Sequence, residues 1–222
     1  MSGEVFGFLV HANPTVHEGS WAELIALTPE MQVAPKPASV DLAAAGVAPL
    51  AAFDALALSE GETVLIVGAT GGVGSFAVQL AARAGATIIA PALPEDGEYL
   101  RELGVTERLD RGGDVFAAVR DGHPDGIDAL LDLASYAPGA FEGALMDGAR
   151  VASSNGAAGE GPGRTNVMAV PSDDNLRRLA ALLDDGTLQV HIHDTFELDR
   201  ATDALQALAT EHVHGKLAIS VR

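Results

Sequence analysis

The feature that most restricts this chain is a twelve-residue run, Val64-Leu65-Ile66-Val67-Gly68-Ala69-Thr70-Gly71-Gly72-Val73-Gly74-Ser75. A β-branched apolar stretch passes through a glycine turn into a helix start. Its turn fits the pattern G-x-G-x-x-G with alanine in the first place, at Ala69, Gly71 and Gly74. Each position has a physical demand. The chain must leave the strand tightly, bring bare backbone up to a pyrophosphate at Gly71, and let the helix pack on the sheet at Gly74. The helix N-terminus then offers free N–H groups and a partial positive charge to phosphate. A glycine pattern alone is weak; the strand before it and the amphipathic helix after it make it a dinucleotide site.

The rest of the chain supplies the matching scaffold. Strands are predicted at 63–67, 87–90, 108–109, 127–133, 150–153 and 166–170, with helices at 75–83, 98–103, 115–120 and 138–146. Alternation of this kind predicts an α/β fold, a Rossmann doubly wound parallel sheet with helices on both faces. Before it, short strands are predicted at 4–10 and 21–27, then an Ala- and Leu-rich helical stretch over 40–58, broken near Pro49. After it come a helix to about Asp184, N-capped within Ser172-Asp173-Asp174 and stopped by Gly186, a strand at 190–196, a helix at 199–209 and a strand at 216–221. Aromatic residues are only 5% of the chain, so Ala, Val and Leu must fill the core.

Charge narrows the partners. The net charge is −18, with lysine only at Lys36 and Lys216. Such a surface repels phosphate backbones and anionic lipid, so neither nucleic acid nor a membrane is expected as a partner. A small-molecule ligand that is anionic must be held by local amides. At the ribose end, an acid closing the second strand would grip the 2′-hydroxyl of NAD. This strand runs out in Ala90-Pro91-Ala92-Leu93 with no acid, followed by Glu95 and Asp96, with Arg101 the nearest base along the chain. The missing acid argues against NAD(H), and the acids that follow argue against a 2′-phosphate, so neither cofactor is matched cleanly; of the two, NADP(H) is expected over NAD(H). There is no cysteine, hence no thiolate nucleophile and no Cys-rich zinc site. The start Met1-Ser2-Gly3-Glu4 lacks the form of a signal peptide, and a cytoplasmic location is expected.

Several segments taken in order resemble the medium-chain dehydrogenase/reductase superfamily, in its zinc-free quinone oxidoreductase and enoyl reductase branch. They are Gly3-Glu4-Val5-Phe6-Gly7, Gly19-Ser20-Trp21-Ala22-Glu23, Pro35-Lys36-Pro37, Gly61-Glu62-Thr63-Val64, Gly71-Gly72-Val73-Gly74 and His214-Gly215-Lys216-Leu217. The resemblance implies a central Rossmann domain over 46–171. It also implies a truncated GroES-like β-rich domain assembled from 1–45 and 172–222, N-terminally shortened against the family. It further implies hydride transfer from NADPH to a quinone, enone or related activated carbonyl, without zinc and without an invariant acid–base residue. Carried over by position, Ala69, Thr70, Gly71, Gly72, Val73 and Gly74 meet the pyrophosphate, and Ala92 and Leu93 lie near the adenosine ribose. Ala134 and Ser135, with Ser153, Ser154 and Asn155, line the track from adenine to nicotinamide. The rival expectation is a non-catalytic or repurposed member that binds a nucleotide or another small molecule, or acts through its dimer surface.

Other constellations are weaker. The pairs His191/His193 and His212/His214 have the spacing that places two rings on one strand face, but no metal site is assigned to them. Tyr99 and Tyr136 lack the lysine four residues on that a short-chain dehydrogenase needs, and no G-x-S-x-G elbow marks a hydrolase. The apolar residues of the 166–170 strand suit pairing with a second copy, which predicts a homodimer.

Overall fold

The computed structural model describes residues 4–8, 23–24, 32–40, 48–135, 137–168 and 172–221. The chain divides into two compact units, one made of Met1–Val47 with Pro171–Arg222, the other of Ala48–Val170. In the first unit, β1 (Val5–Phe8) pairs antiparallel with β2 (Gln32–Pro35), Val5 opposite Pro35 and Phe8 opposite Gln32. The strand at 32–35 was not among those expected. Of the strand expected at 21–27 only residues 23 and 24 are described, and they are not in a strand; residues 41–47 of the expected 40–58 helix lie outside the described residues.

The second unit opens with α1 (Ala48–Leu56) and then alternates: β3 (Thr63–Val67), α2 (Gly74–Arg83), β4 (Thr87–Ala92), α3 (Gly97–Leu103), β5 (Glu107–Asp110), α4 (Val115–Gly122), β6 (Ile127–Asp132), β7 (Leu145–Ser153) and β8 (Arg164–Asn166). The six strands form one parallel sheet in the order β5-β4-β3-β6-β7-β8, the doubly wound Rossmann arrangement. Side chains alternate across it. Val64, Ile66, Ile88, Ala90, Ala129 and Leu131 pack with Ala52 and Leu56 of α1, Ala77, Val78 and Ala81 of α2 and Leu100 of α3. Leu65, Ile89, Leu130 and Val151 face the other way, onto Val119 of α4 and Phe141. Alanine at so many positions lets helix and strand backbones come close, and this offsets the shortage of large side chains.

Two boundaries differ from expectation. The helix expected at 138–146 is instead a 3₁₀ segment, Pro138–Ala144, and β7 begins at Leu145, not at residue 150. Gly139 and Gly143 remove helix propensity from this stretch. A side chain at Gly143 would crowd Phe116, whose ring lies 3.1 Å from the position of a Cβ. β8 ends at Asn166, ahead of much of the strand expected over 166–170, of which residues 169 and 170 lie outside the described residues.

The remainder of the first unit is α5 (Asp173–Asp184), β9 (Ile192–Glu197), α6 (Ala201–Thr210) and β10 (Lys216–Ser220). Ser172 caps α5, its side chain accepting from Asn175 N at 3.1 Å, and Gly186 with φ +75 follows the helix, as expected. β9 and β10 pair in parallel, with Phe196, Ala204 and Ala207 buried between them and α6. Among the described residues, no helix is long and apolar enough to cross a membrane.

One polar cluster ties three parts of the second unit together. Arg150 on β7 lies 2.7 Å from the carboxylate of Glu62 and donates to the carbonyl of Ala57 at 3.1 Å. Ala57 holds a left-handed φ of +46, which is unfavourable for alanine, and the guanidinium satisfies its carbonyl there. Burial pushes the Glu62 carboxyl up, but Arg150 and the Ser59 N–H, 2.8 Å away, outweigh it and hold the group below the ordinary glutamate range. A carboxyl depressed on folding stabilises the protein above its unfolded pKa and loses that contribution as pH falls through its folded pKa. Arg150→Ala is therefore expected to lower Tm at neutral pH. The gap from wild type should narrow as the pH drops below the glutamate range, read by thermal denaturation across a pH series.

Candidate functional site

The strand order reverses between β3 and β6, so the crevice beyond their carboxyl ends is the place where an open α/β sheet takes a ligand. The wall on the β3 side is the glycine turn. Gly68, with φ +89, carries the chain out of the strand, and a Cβ there would sit 3.2 Å from Ala134 Cβ and 3.3 Å from Leu133 Cβ. Gly68 therefore fills the role assigned by pattern to Ala69, whose side chain is buried in the core at 1% exposure. The missed signal was the glycine one place earlier, directly after the last strand residue.

Gly74 and Gly71 differ in kind. A Cβ on Gly74 would run into the Gly68 carbonyl and the Ala69 backbone, so the fold itself requires glycine there. A Cβ on Gly71 would meet only the Gly68 carbonyl, at 3.6 Å, an ordinary contact, and its φ is not left-handed. The polypeptide leaves open space at Gly71 that it does not need. Behind the turn, α2 starts without a side-chain cap and with no acidic residue in its first turn. Among the described residues, the amides of Gly72, Val73 and Gly74 meet no acceptor. Orphan donors at a helix start suit an anion. Burial raises the phenol of Tyr99 on α3 above its usual range, with Ser75 in that first turn opposing the rise.

The β6 side is organised by Asp132, which is fully buried at the strand end. Its carboxylate accepts from Ala134 N at 3.1 Å, Ser135 N at 2.8 Å and Ser135 Oγ at 2.6 Å. Such bonds offset the desolvation of a buried charge. They fold residues 133–135 back, while Leu133 N donates to the carbonyl of Val67 at 3.0 Å. Ala134 thereby closes against Gly68.

After β7, Ser153 is buried and its Oγ accepts from Asn155 N at 3.1 Å, which sets the path of the loop. Ser154 is exposed and donates to Asn155 Oδ1 at 3.3 Å. The Asn155 Nδ2 is buried and has no partner among the described residues, a donor held in reserve.

At the ribose end, Ala92 is buried and Leu93 half-buried. Asp96 points inward, fully buried, and accepts from Leu93 N at 2.7 Å. Arg101 pairs loosely with Glu98 at 4.0 Å. Arg111, just past β5, comes to the strand end with its N–H donating to the Ala92 carbonyl at 3.1 Å. A second base there is Arg108 from β5, which donates to the Leu93 carbonyl at 3.2 Å. Its signal was hidden because it comes from the neighbouring strand: Arg108 is in register with Ala90 and reaches forward. The sheet thus gathers 68–74, 92–93, 133–135 and 153–155 at the carboxyl ends of adjacent strands. The histidine pairs belong to the other unit. His193 sits in β9, while His212 and His214 precede β10, with His214 N donating to His193 Nδ1 at 3.4 Å and the His212 and His214 rings edge to face at 5.1 Å.

Comparison with known proteins agrees with this geometry. A family profile described as zinc-binding dehydrogenase matches residues 103–219. The chain is 29% identical over 211 residues to an NADPH-dependent alkenal/one oxidoreductase of Arabidopsis thaliana, covering 90% of this chain and 53% of that protein. It is 30% identical over 212 residues to a 2-methylene-furan-3-one reductase of Solanum lycopersicum, covering 90% and 52%. A quinone oxidoreductase from Coxiella burnetii superposes with a TM-score of 0.76 at 25% identity, covering 88% of this chain and 65% of that one. The chain spans about half the length of the curated relatives it matches.

The two glycines give a stability test. Gly74→Ala is expected to destabilise the protein by about 2–4 kcal/mol through a backbone clash, and Gly71→Ala by no more than about 0.5 kcal/mol. Chemical denaturation of both variants checks the contrast.

Proposed function

We propose, since the chain belongs to the zinc-binding dehydrogenase family of the medium-chain dehydrogenase/reductase superfamily, that it is an NADPH-dependent reductase of a quinone, enone or related activated carbonyl. The observation that carries this reading is Gly71. No contact among the described residues requires glycine there, the amides that follow meet no acceptor among the described residues, and the position fits a pyrophosphate. Asn155, with its orphaned buried amide at the other end of the crevice, fits the polar end of a dinucleotide.

The residues present would divide the work as follows. Gly71, Gly72, Val73 and the start of α2 hold the phosphates by backbone N–H groups, which this acidic chain needs because its overall field opposes anions. Ala134 and the Asp132-anchored turn shape the middle of the cleft, and Asn155 orients the far end by hydrogen bonding. A bound reduced nicotinamide supplies the hydride that an electron-poor carbon accepts. The reaction is read as zinc-independent, because the sequence has no cysteine to serve as a thiolate ligand. The ligand is then a small molecule, and the chain itself contributes position more than acid–base chemistry. β8, at the end of the sheet, with Met168 beyond it 79% exposed, supports reading this edge as a homodimer surface.

Titration of the purified protein with NADPH, followed by cofactor fluorescence and thermal shift, is expected to show micromolar binding and consumption of NADPH on adding a small quinone or 2-alkenal. Gly71→Ala should weaken that binding at least about tenfold with the fold intact, and Asn155→Ala by about three- to tenfold, as for one hydrogen bond. Binding without turnover on any such acceptor would overturn the reductase reading and leave a nucleotide-binding protein. Light scattering after size exclusion is expected to give a dimer mass, and Met168→Glu to shift it toward monomer; a monomeric wild type removes the dimer from the reading.

A further inference from the structure

We infer that Arg108 reads the 2′-phosphate of the cofactor and sets the preference for NADPH over NADH. This rests on the cofactor site proposed above and goes beyond it in naming the discriminating side chain. Three observations place Arg108 there. First, β4 and β5 run parallel with Ala90 opposite Arg108 and Ala92 opposite Asp110, so an arginine two residues short of the strand end can reach the turn that follows β4. It does so, with the guanidinium 3.2 Å from the Leu93 carbonyl. The end of this second Rossmann strand is where the adenosine ribose lies in a dinucleotide fold.

Second, the guanidinium lies against the start of α3. The Arg108 Nε lies 3.6 Å, and its Cζ 3.9 Å, from where a Cβ on Gly97 would be, an ordinary van der Waals separation. One hydrogen bond to a carbonyl uses one of its five N–H donors, and the others can meet phosphate oxygens, for which the fork geometry is suited.

Third, the carboxylates nearby are directed elsewhere. Asp96 is fully buried and accepts from Leu93 N at 2.7 Å. Asp110 accepts from Gly112 N at 2.9 Å, and Glu107 pairs with His123 at 3.0 Å. Glu98 faces Arg101 at 4.0 Å. Among the described residues Arg108 itself makes no ion pair, although the chain carries 31 acidic residues against 13 lysines and arginines. A solvent-facing arginine left without a carboxylate in so acidic a protein is available to an anionic ligand. No strand-end acid stands ready for the 2′-hydroxyl of NADH.

The test measures dissociation constants of the full-length protein and Arg108→Ala for NADPH and NADH by cofactor fluorescence, with adenosine 2′,5′-bisphosphate and 5′-AMP as fragment probes. Arg108→Ala is expected to weaken NADPH and the bisphosphate by at least about tenfold and to change NADH and 5′-AMP by less than about twofold. Arg108→Lys should recover part of the loss. Wild-type affinity for NADPH should also fall more steeply with added salt than that of Arg108→Ala. Arg108 is exposed, so the variant should fold, and an unchanged Tm verifies this. An unchanged NADPH-to-NADH ratio in Arg108→Ala, or a wild type that prefers NADH, overturns the inference while leaving the cofactor site in place. A wild type that binds neither cofactor overturns both.

Discussion

The approach of α2 to the end of β3 is the contact on which the site depends. Gly74 lies so close to the Gly68 carbonyl that no side chain fits between them. That closeness places the first turn of α2 directly over the strand end, with its uncapped amides facing the reversal in strand order. If the helix stood off by the width of a methyl group, the amides would no longer share a crevice with the ends of β6 and β7. The left-handed turn at Gly68 and the closure of Ala134 against it follow from the same geometry.

Around that contact, the protein handles charge locally. Its net charge of −18 makes the long-range field hostile to a dinucleotide. The described site answers with fixed dipoles and directed side chains. Among the described residues, amides at the start of α2 meet no acceptor, and the buried carboxylates at and just past strand ends accept from backbone N–H groups. Asp132 binds Ala134 and Ser135, and Asp96 binds Leu93. Acids that would otherwise repel phosphate become the internal ties that shape the turns. Glycine serves two distinct purposes here: at Gly74 it permits the fold, and at Gly71 it permits a ligand.

Much of the architecture was legible because parallel strands buried on both faces read as short apolar runs, and the 3.6-residue period marks the helices between them. The segments 63–67, 75–83 and 127–133 were placed nearly where the structure has them. Local signals failed where propensity is indifferent. The stretch from Pro138 has apolar residues at helical spacing, yet its glycines leave it a 3₁₀ segment. β2 is a four-residue strand whose partner lies nearly thirty residues earlier, a separation that periodicity cannot register.

The sequence by itself determined the class of fold and the position of the phosphate turn, because both are set by residues adjacent along the chain: an apolar strand, glycines at fixed offsets, and a helix start. Only the tertiary structure decided which glycine answers to which constraint, that Asp96 turns inward, that the Asn155 amide has no partner among the described residues, and that Arg108 from the neighbouring strand reaches the ribose end. Each of these is a relation between strands or between a helix and a strand. Register and close approach are properties of how elements pack, and no local pattern of residues carries them.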